Sequence, residues 1–458
     1  MSVAAGNPVT AQVGADILAA GGSAADAAAA MTLASCVAET LFTGIGGGGF
    51  ATYYDASTAT ATCVDFFVAV PGLGGLRSVP PLEIAIDFGG QLVPYAVGAS
   101  TVAVPGVPAG VAHLHERWGR LPWRDVVRPA IEHAERGVSF APVHAKVLGT
   151  VASAMLINEG VAVYGDRSGG LLPAGGRLFH PGLDGALRML ADDGPAAFYT
   201  GPIAEAMVSA IGEQGDLGPA DLAAYEVRET RPRSVEFAGA QVLARGDDLD
   251  NLLGALAALE VVADDAETAA RMVDVLRAHP KRGDTTSIAV ADADGNACAV
   301  TTSLGLSSGV WLADLGIHLN SMMGEGELVR GTETPGRRMG SMMSPLIAVD
   351  DDGPVLVAGA AGGSRIRSAL LQVLVNVLHR GMSAVDAIQA PRLNPVPDKV
   401  HVEPGMSSEV LARLDAAGDV ARWPALDSYF GGVAAIAVDG PGADPRRGGD
   451  VRSLSDVS

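Results

Sequence analysis

A strand, a tight turn and a returning strand are written into residues 283–305, Gly-Asp-Thr-Thr-Ser-Ile-Ala-Val-Ala-Asp-Ala-Asp-Gly-Asn-Ala-Cys-Ala-Val-Thr-Thr-Ser-Leu-Gly, and this stretch constrains the chain most. Ile288 and Val290 alternate with small or polar residues, Asp294-Gly295-Asn296 supplies the turn, and Ala297 to Leu304 runs back. Alternation on both sides of an Asp-Gly turn predicts a β-hairpin. Two threonines, Thr285 and Thr286, stand at its entry. A threonine there is by itself an ordinary β-branched strand residue; its surroundings change that reading.

The rest of the chain alternates between helical and extended patterns with no Ser/Gly/Pro linker and no low-complexity break, so the 458 residues read as one large layered unit. Val9 to Ala20 reads as a helix stopped by Gly21-Gly22. Ser23 with Asp26 is an N-cap signature, opening an alanine-rich helix to Ala38. Phe50–Tyr54 and Thr60–Phe67 alternate like a strand pair. Residues 108–139 and 183–213 are mainly helical, 229–245 suits a strand pair, and Leu252 to Leu276 reads as one helix. Leu346–Val349 and Val355–Ala358 pair around Asp351-Asp352-Gly353, Ile366–His379 is a long apolar helix, and Gly432–Val438 is a late strand. Helices, then strands, then helices suit a layered α+β sandwich. No period of about 20–50 residues recurs, which excludes a repeat architecture.

Motifs along nearly the whole chain resemble, in order, those of the γ-glutamyltranspeptidase family. They are Ala11-Gln12-Val13-Gly14 with Ile17 to Ala28, Gly44-Ile45-Gly46-Gly47-Gly48-Gly49-Phe50, Val104 to Gly110, Trp118 to Trp123, Ser341-Met342-Met343-Ser344-Pro345, Gly362-Gly363-Ser364-Arg365-Ile366, and Ala390-Pro391-Arg392. The entry to the central hairpin resembles the family's self-processing segment. The resemblance implies the four-layer αββα sandwich of N-terminal nucleophile hydrolases. It also implies a cut between Asp284 and Thr285, giving a large-subunit segment 1–284 and a small-subunit segment 285–458 within one compact unit. Thr285 then becomes an N-terminal nucleophile. Its hydroxyl needs a base, and its own α-amine, titrating near pH 8, supplies one once the preceding bond is cut.

Matched residue by residue, Ser303 falls on the family's second threonine, whose hydroxyl orients the nucleophile, and it keeps that hydroxyl. Gly362 and Gly363 fall on the glycine pair whose backbone N–H groups form the oxyanion hole; glycines let backbone approach a developing oxyanion closely. The substrate positions depart from the family. Phe67, in Asp65-Phe66-Phe67-Val68, replaces the arginine that binds the substrate α-carboxylate. Ser341-Met342 replaces a serine pair, Gly305 an asparagine, and Met322 and Glu325 the glutamine and aspartate that receive the substrate amine. Losing a bidentate guanidinium is not conservative for carboxylate recognition, so the expected pocket is more apolar than a glutathione site, unless Arg330, Arg337 or Arg338 compensates. Three readings follow. The first is a γ-glutamyl hydrolase or transpeptidase, self-processed and acting through an acyl-enzyme on Thr285. The second is an amidase or acylase of the same fold on another acyl group. The third is an unprocessed binding protein that kept only the fold.

A formal charge of −21 argues against nucleic acid and anionic membrane as partners, since both need clustered Lys/Arg. No run of roughly 18 uncharged apolar residues, the length of a membrane span, is present, and the N-terminus lacks the pattern of a signal peptide, so the expected location is cytoplasmic, or secreted if a leader has been removed. Expected partners are a small amide substrate and the chain's own two processed segments, with association of copies left open. Cys36, Cys63 and Cys298 read as buried apolar residues, not as a disulfide or metal set. Gly44-x-Gly46-x-x-Gly49 satisfies a dinucleotide fingerprint only literally, because it follows a helix and opens a strand. His113 and His115 point to different helix faces. Neither a cofactor nor a metal is expected.

Overall fold

The computed structural model describes residues 1–77, 79–87, 92–278, 285–326, 328–329 and 333–454. The strands of its two large sheets are numbered in chain order: β1 Ser2–Ala5, β2 Gly48–Asp55, β3 Thr60–Phe66, β4 Arg228–Thr230, β5 Arg233–Phe237, β6 Ala240–Ala244, β7 Thr286–Ala291, β8 Ala297–Ser303, β9 Leu346–Asp350, β10 Gly353–Ala361, β11 Gly432–Ala437, β12 Gly440–Ala443 and β13 Asp450–Ser453. The central hairpin is β7–β8, with Thr286 opposite Thr302 and Ala291 opposite Ala297. It occupies the middle of a seven-stranded sheet of order β13-β1-β7-β8-β2-β3-β4. The second sheet has six strands in the order β12-β11-β10-β9-β6-β5. All neighbours in both sheets are antiparallel.

The sheets stack face to face, β7 and β8 lying on β10. Ala4, Ala289, Ala297, Ala299 and Ala434 fill the space between them with Ile347, Val357 and Ile436. Small side chains bring the sheets close, and Gly359 on β10 shows how close. A Cβ there would stand 2.1 Å from Oγ of Ser287 on β7, far inside van der Waals contact.

Helices α1 (Pro8–Ala19) and α2 (Ala24–Ala38) cover the outer face of the first sheet. All fifteen residues of α2 are buried, which is why it is apolar all round and rich in alanine. Its start is a capping box: Ser23 accepts from the Asp26 N–H, and Asp26 accepts from the Ser23 N–H. Asp26 also bonds His115 Nδ1 at 2.9 Å and the backbone N–H groups of Arg120 and Leu121. Burial works to raise the Asp26 carboxyl pKa, but these bonds outweigh it and hold the group below its usual range. Helix α3 (Leu252–Ala258), α4 (Asp265–Arg277) and α5 (Ile366–Leu374) pack beyond the second sheet in the second core cluster. The layers are therefore helix, sheet, sheet, helix.

Two helical expectations change. Leu252–Leu276 is two helices, because the chain leaves α3 at Leu259 and Asp264 caps α4, accepting from the N–H of Ala266 and Glu267. The helix expected to reach His379 is α-helical to Leu374, and its last five residues widen into a π turn. The four-residue strand β1 had no counterpart in the sequence reading.

Candidate active site

Thr285 lies one residue before β7 and is only 2% exposed. The register that sets Thr286 against Thr302 places Ser303, the last residue of β8, across from Thr285. Side chains alternate along a strand, and here the first two threonines part. Oγ1 of Thr285 faces the second sheet. It accepts from the Gly362 N–H at 3.2 Å and lies 3.5 Å from the Ala360 carbonyl oxygen. Oγ1 of Thr286 faces the helices and donates to Glu39 Oε2 at 2.6 Å. Gly362 and Gly363 follow the end of β10 with φ of 120° and 58°, in the left-handed region that favours glycine. A Cβ on Gly362 would come 2.6 Å from the Gly431 Cα. That freedom turns the Gly362 N–H toward the threonine hydroxyl.

Ser303 Oγ accepts from the Gly305 N–H at 2.9 Å. The Glu325 carboxylate approaches the same glycine, where a Cβ would meet Oε1 at 2.3 Å. Ser303, Gly305 and Glu325 thus gather beside the hairpin's end. If Ser303 orients Thr285, Ser303→Thr keeps most turnover. Ser303→Ala lowers kcat about ten- to a hundredfold, as expected for one positioning hydrogen bond of about 1.5–3 kcal/mol. Steady-state kinetics on the two variants decide this, and wild-type turnover in Ser303→Ala removes the residue from the site.

The remaining substrate positions are buried. Phe67 is 1% exposed, stacked on Phe50 at 5.3 Å, and belongs with Met322 and Met342 to the apolar core of the second sheet. An arginine introduced at position 67 enters that cluster. Ser341 is buried, its Oγ accepting from the Met343 N–H at 3.2 Å. Of the arginines considered as replacements, Arg338 donates to the Phe67 carbonyl and pairs with Asp65, Arg337 is exposed, and Arg330 lies outside the described residues. So does Asp284, the residue before the expected cut.

Two residues that sequence reasoning missed border Thr285. Glu39, 1% exposed just after α2, accepts from Thr286 and also from Thr10 Oγ1 at 2.7 Å. Burial pushes its carboxyl pKa up, against the pull of the Thr286 and Thr10 hydroxyls and the Arg447 charge. Arg447, 6% exposed, reaches the Thr285 carbonyl oxygen with Nη1 at 3.5 Å and lies 5.0 Å from the Phe42 ring centre. Glu39, Phe42, Thr285, Thr286, Val433 and Arg447 help line a small cavity of about 20 Å³, room for about one water molecule. Arg447 also lines a larger, more open cleft with Lys146, Arg365, Trp423 and Tyr429. The one available signal was a pair of adjacent arginines, Arg446-Arg447, in a strongly acidic chain.

The glycine fingerprint is structural. Gly47 packs on β8, where a Cβ would stand 2.2 Å from the Ser303 carbonyl oxygen. His113 bonds Glu229 and His115 bonds Asp26. Among the described residues no group of three or more His, Cys, Asp or Glu side chains is arranged to hold a metal, all three cysteines are buried free thiols, and no helix is long and apolar enough to cross a membrane.

Two antiparallel sheets stacked between helical layers, with a threonine at a central strand's entry, are the architecture of N-terminal nucleophile hydrolases. The crystal structure of a cephalosporin acylase from Bacillus halodurans shares the fold, with a TM-score of 0.82 over 99% of this chain and 96% of that one, at 23% identity. The sequence narrows the class: the Gamma-glutamyltranspeptidase family model matches residues 10–266 and 255–454. This chain belongs to the gamma-glutamyltranspeptidase family. It is 29% identical to the glutathione hydrolase proenzyme of Escherichia coli (strain K12), over 100% of this chain and 91% of that protein. It is 27% identical to the Acylase ACY 1 proenzyme of Pseudomonas sp. (strain SE83), over 96% and 90%.

Proposed function

We propose that the chain is a self-processing amidohydrolase or acyltransferase, cut before Thr285, whose Thr285 hydroxyl attacks an amide carbonyl. The attack gives an acyl-enzyme on Oγ1, and the protonated α-amine donates its proton to the leaving amine. Water or an acceptor amine then releases the acyl group. The observation that carries this reading is the Gly362 N–H, 3.2 Å from Thr285 Oγ1. A donor fixed there lies beside the carbon that Oγ1 attacks, where negative charge develops on the carbonyl oxygen. Ser303 orients the hydroxyl and Gly363 extends the oxyanion loop.

The substrate is a γ-glutamyl amide or a related acyl amide. The burial of Phe67 in an apolar cluster, at the position of the family's carboxylate-binding arginine, favours an acylase with little dependence on a substrate α-carboxylate. Both kinds of enzyme occur among the relatives. Release of nitroaniline from γ-glutamyl, glutaryl and simple acyl p-nitroanilides tests this. The expected result is weak γ-glutamyl turnover with poor discrimination against glutaryl. Strong turnover selective for γ-glutamyl overturns the acylase preference, and no turnover of any amide overturns the enzyme reading.

A further inference from the structure

A nucleophile at a chain terminus poses a mechanical problem. Terminal residues fray unless something ties them down, and cutting before Thr285 removes the covalent hold on one side. The sheet gives limited help at this point. The last residue of β1 pairs with Ile288, after which the chain turns away into α1, so β1 makes no ladder pair with Thr285, Thr286 or Ser287. On the other side the ladder with β8 ends at Thr286–Thr302.

Side chains from distant parts of the chain grip this end from two directions. Arg447 Nη1 reaches to 3.5 Å from the Thr285 carbonyl oxygen, and Glu39 accepts from the Thr286 hydroxyl at 2.6 Å. Each is itself fixed. Glu39 accepts a second bond from Thr10, and the close approach of Gly6, where a Cβ would stand 2.6 Å from Oε2, leaves its carboxylate no room to swing. Arg447 is wedged against Gly432, where a Cβ would stand 2.8 Å from its Cδ, and lies over the Phe42 ring.

We propose that Glu39 and Arg447 are positioning residues that clamp the first two residues of β7, keeping Thr285 Oγ1 in register with the Gly362 N–H after the chain is cut. The inference rests on the reading of Thr285 as a nucleophile freed by cleavage. Glu39 acts through the Thr286 hydroxyl and Arg447 through the Thr285 carbonyl oxygen. Their contribution is geometric, and misplacing a reacting group by about 1 Å costs on the order of a hundredfold in rate. Among the described residues, the charged groups around the clamp include Arg447 facing Glu39 from the C-terminal segment, Asp444 on the same cavity, His144 within the field of Arg447, and Asp87, Lys146, Arg365 and Asp427 in the cleft beside Arg447.

The test uses the purified full-length protein, with turnover of its best anilide normalised to the cut fraction on a denaturing gel. Arg447→Ala should lower kcat about ten- to a hundredfold while KM changes less than about threefold, with cutting slowed in parallel. Arg447 also borders the open cleft, so millimolar methylguanidinium should restore kcat several-fold in Arg447→Ala and do nothing for wild type. Glu39→Gln, which turns an acceptor oxygen into an N–H donor, should lower kcat with KM preserved, and Glu39→Asp should recover part of the loss. The double variant should lose little more than the worse single one, since both act on one geometry. A raised KM with unchanged kcat makes Arg447 a substrate-binding residue and overturns the clamp. A loss of kcat matched by a lower melting temperature and untouched by methylguanidinium reduces both residues to fold stability and also overturns it. A wild-type chain that is never cut and turns over no anilide overturns the underlying reading instead.

Discussion

Thr285→Ala is expected to persist as one uncut chain of 458 residues and to hydrolyse no amide. One atom is required twice. On the proposed mechanism, Oγ1 attacks the carbonyl carbon before it in the precursor and the substrate in the mature protein, so its removal abolishes both reactions. The fold should survive. The variant loses one buried hydroxyl and its bond with the Gly362 N–H, worth about 1–3 kcal/mol. Intact mass spectrometry should find segments 1–284 and 285–458 in wild type and a single species in the variant. Cutting of pure Thr285→Ala at this bond would falsify self-processing.

The second large effect is on stability. Arg392, Glu403, Asp444 and Arg446 form a buried charge network just before Arg447. Arg392 Nη2 meets Asp444 Oδ2 at 2.6 Å, Arg446 Nη2 meets Glu403 Oε2 at 2.5 Å, and Arg446 Nη1 meets Asp444 Oδ1 at 3.2 Å. Asp444 also accepts from the Val433 N–H at 3.0 Å, and Arg392 donates to the carbonyls of Phe430 and Gly431. The network thus ties the C-terminal segment to β11 and to the turn packed against Gly362. Asp444→Ala takes a carboxylate from two buried guanidinium groups, of which Arg446 keeps Glu403 and Arg392 keeps backbone carbonyls, and breaking such a buried pair costs about 3–5 kcal/mol. Scanning fluorimetry should show an apparent melting temperature several degrees below wild type. A shift within about one degree would mean that the two arginines are satisfied without Asp444.

The features legible in the sequence are those that local chemistry determines. The hairpin at 286–303 announces itself by alternation and an Asp-Gly turn, and α2 by its cap and its alanines. The glycine pair 362–363 was legible through the family resemblance of Gly362-Gly363-Ser364-Arg365-Ile366, and its φ values of 120° and 58° lie in the region that favours glycine. The break before α4 was legible too, since Asp264 is a competent N-cap, but the apolar periodicity running through it masked the signal. What could not be read is set by contacts between distant segments. β1 has four residues and is a strand because β7 and β13 lie on either side of it. Glu39 and Arg447 meet Thr285 and Thr286 only once α2, β7 and the C-terminus have packed. Phe67 was read at a substrate position from its place in a motif, and its stack with Phe50 among buried methionines could not be read from that motif.

The order of strands has a further consequence. Each sheet draws strands from both sides of position 285: β7, β8 and β13 are threaded among β1 to β4 in one, and β5 and β6 complete the other beside β9 to β12. Hydrogen-bonded ladders cross the expected cut at β1–β7, β2–β8, β1–β13 and β6–β9. Cleavage there would therefore detach nothing, yet it would change the molecularity of folding. Before the cut, a chain that unfolds can refold alone. Afterwards, two fragments must find each other, and recovery depends on their concentration. The proposed cut would act as a ratchet: maturation would be entered from the folded state, and an unfolded mature enzyme would have no unimolecular route back.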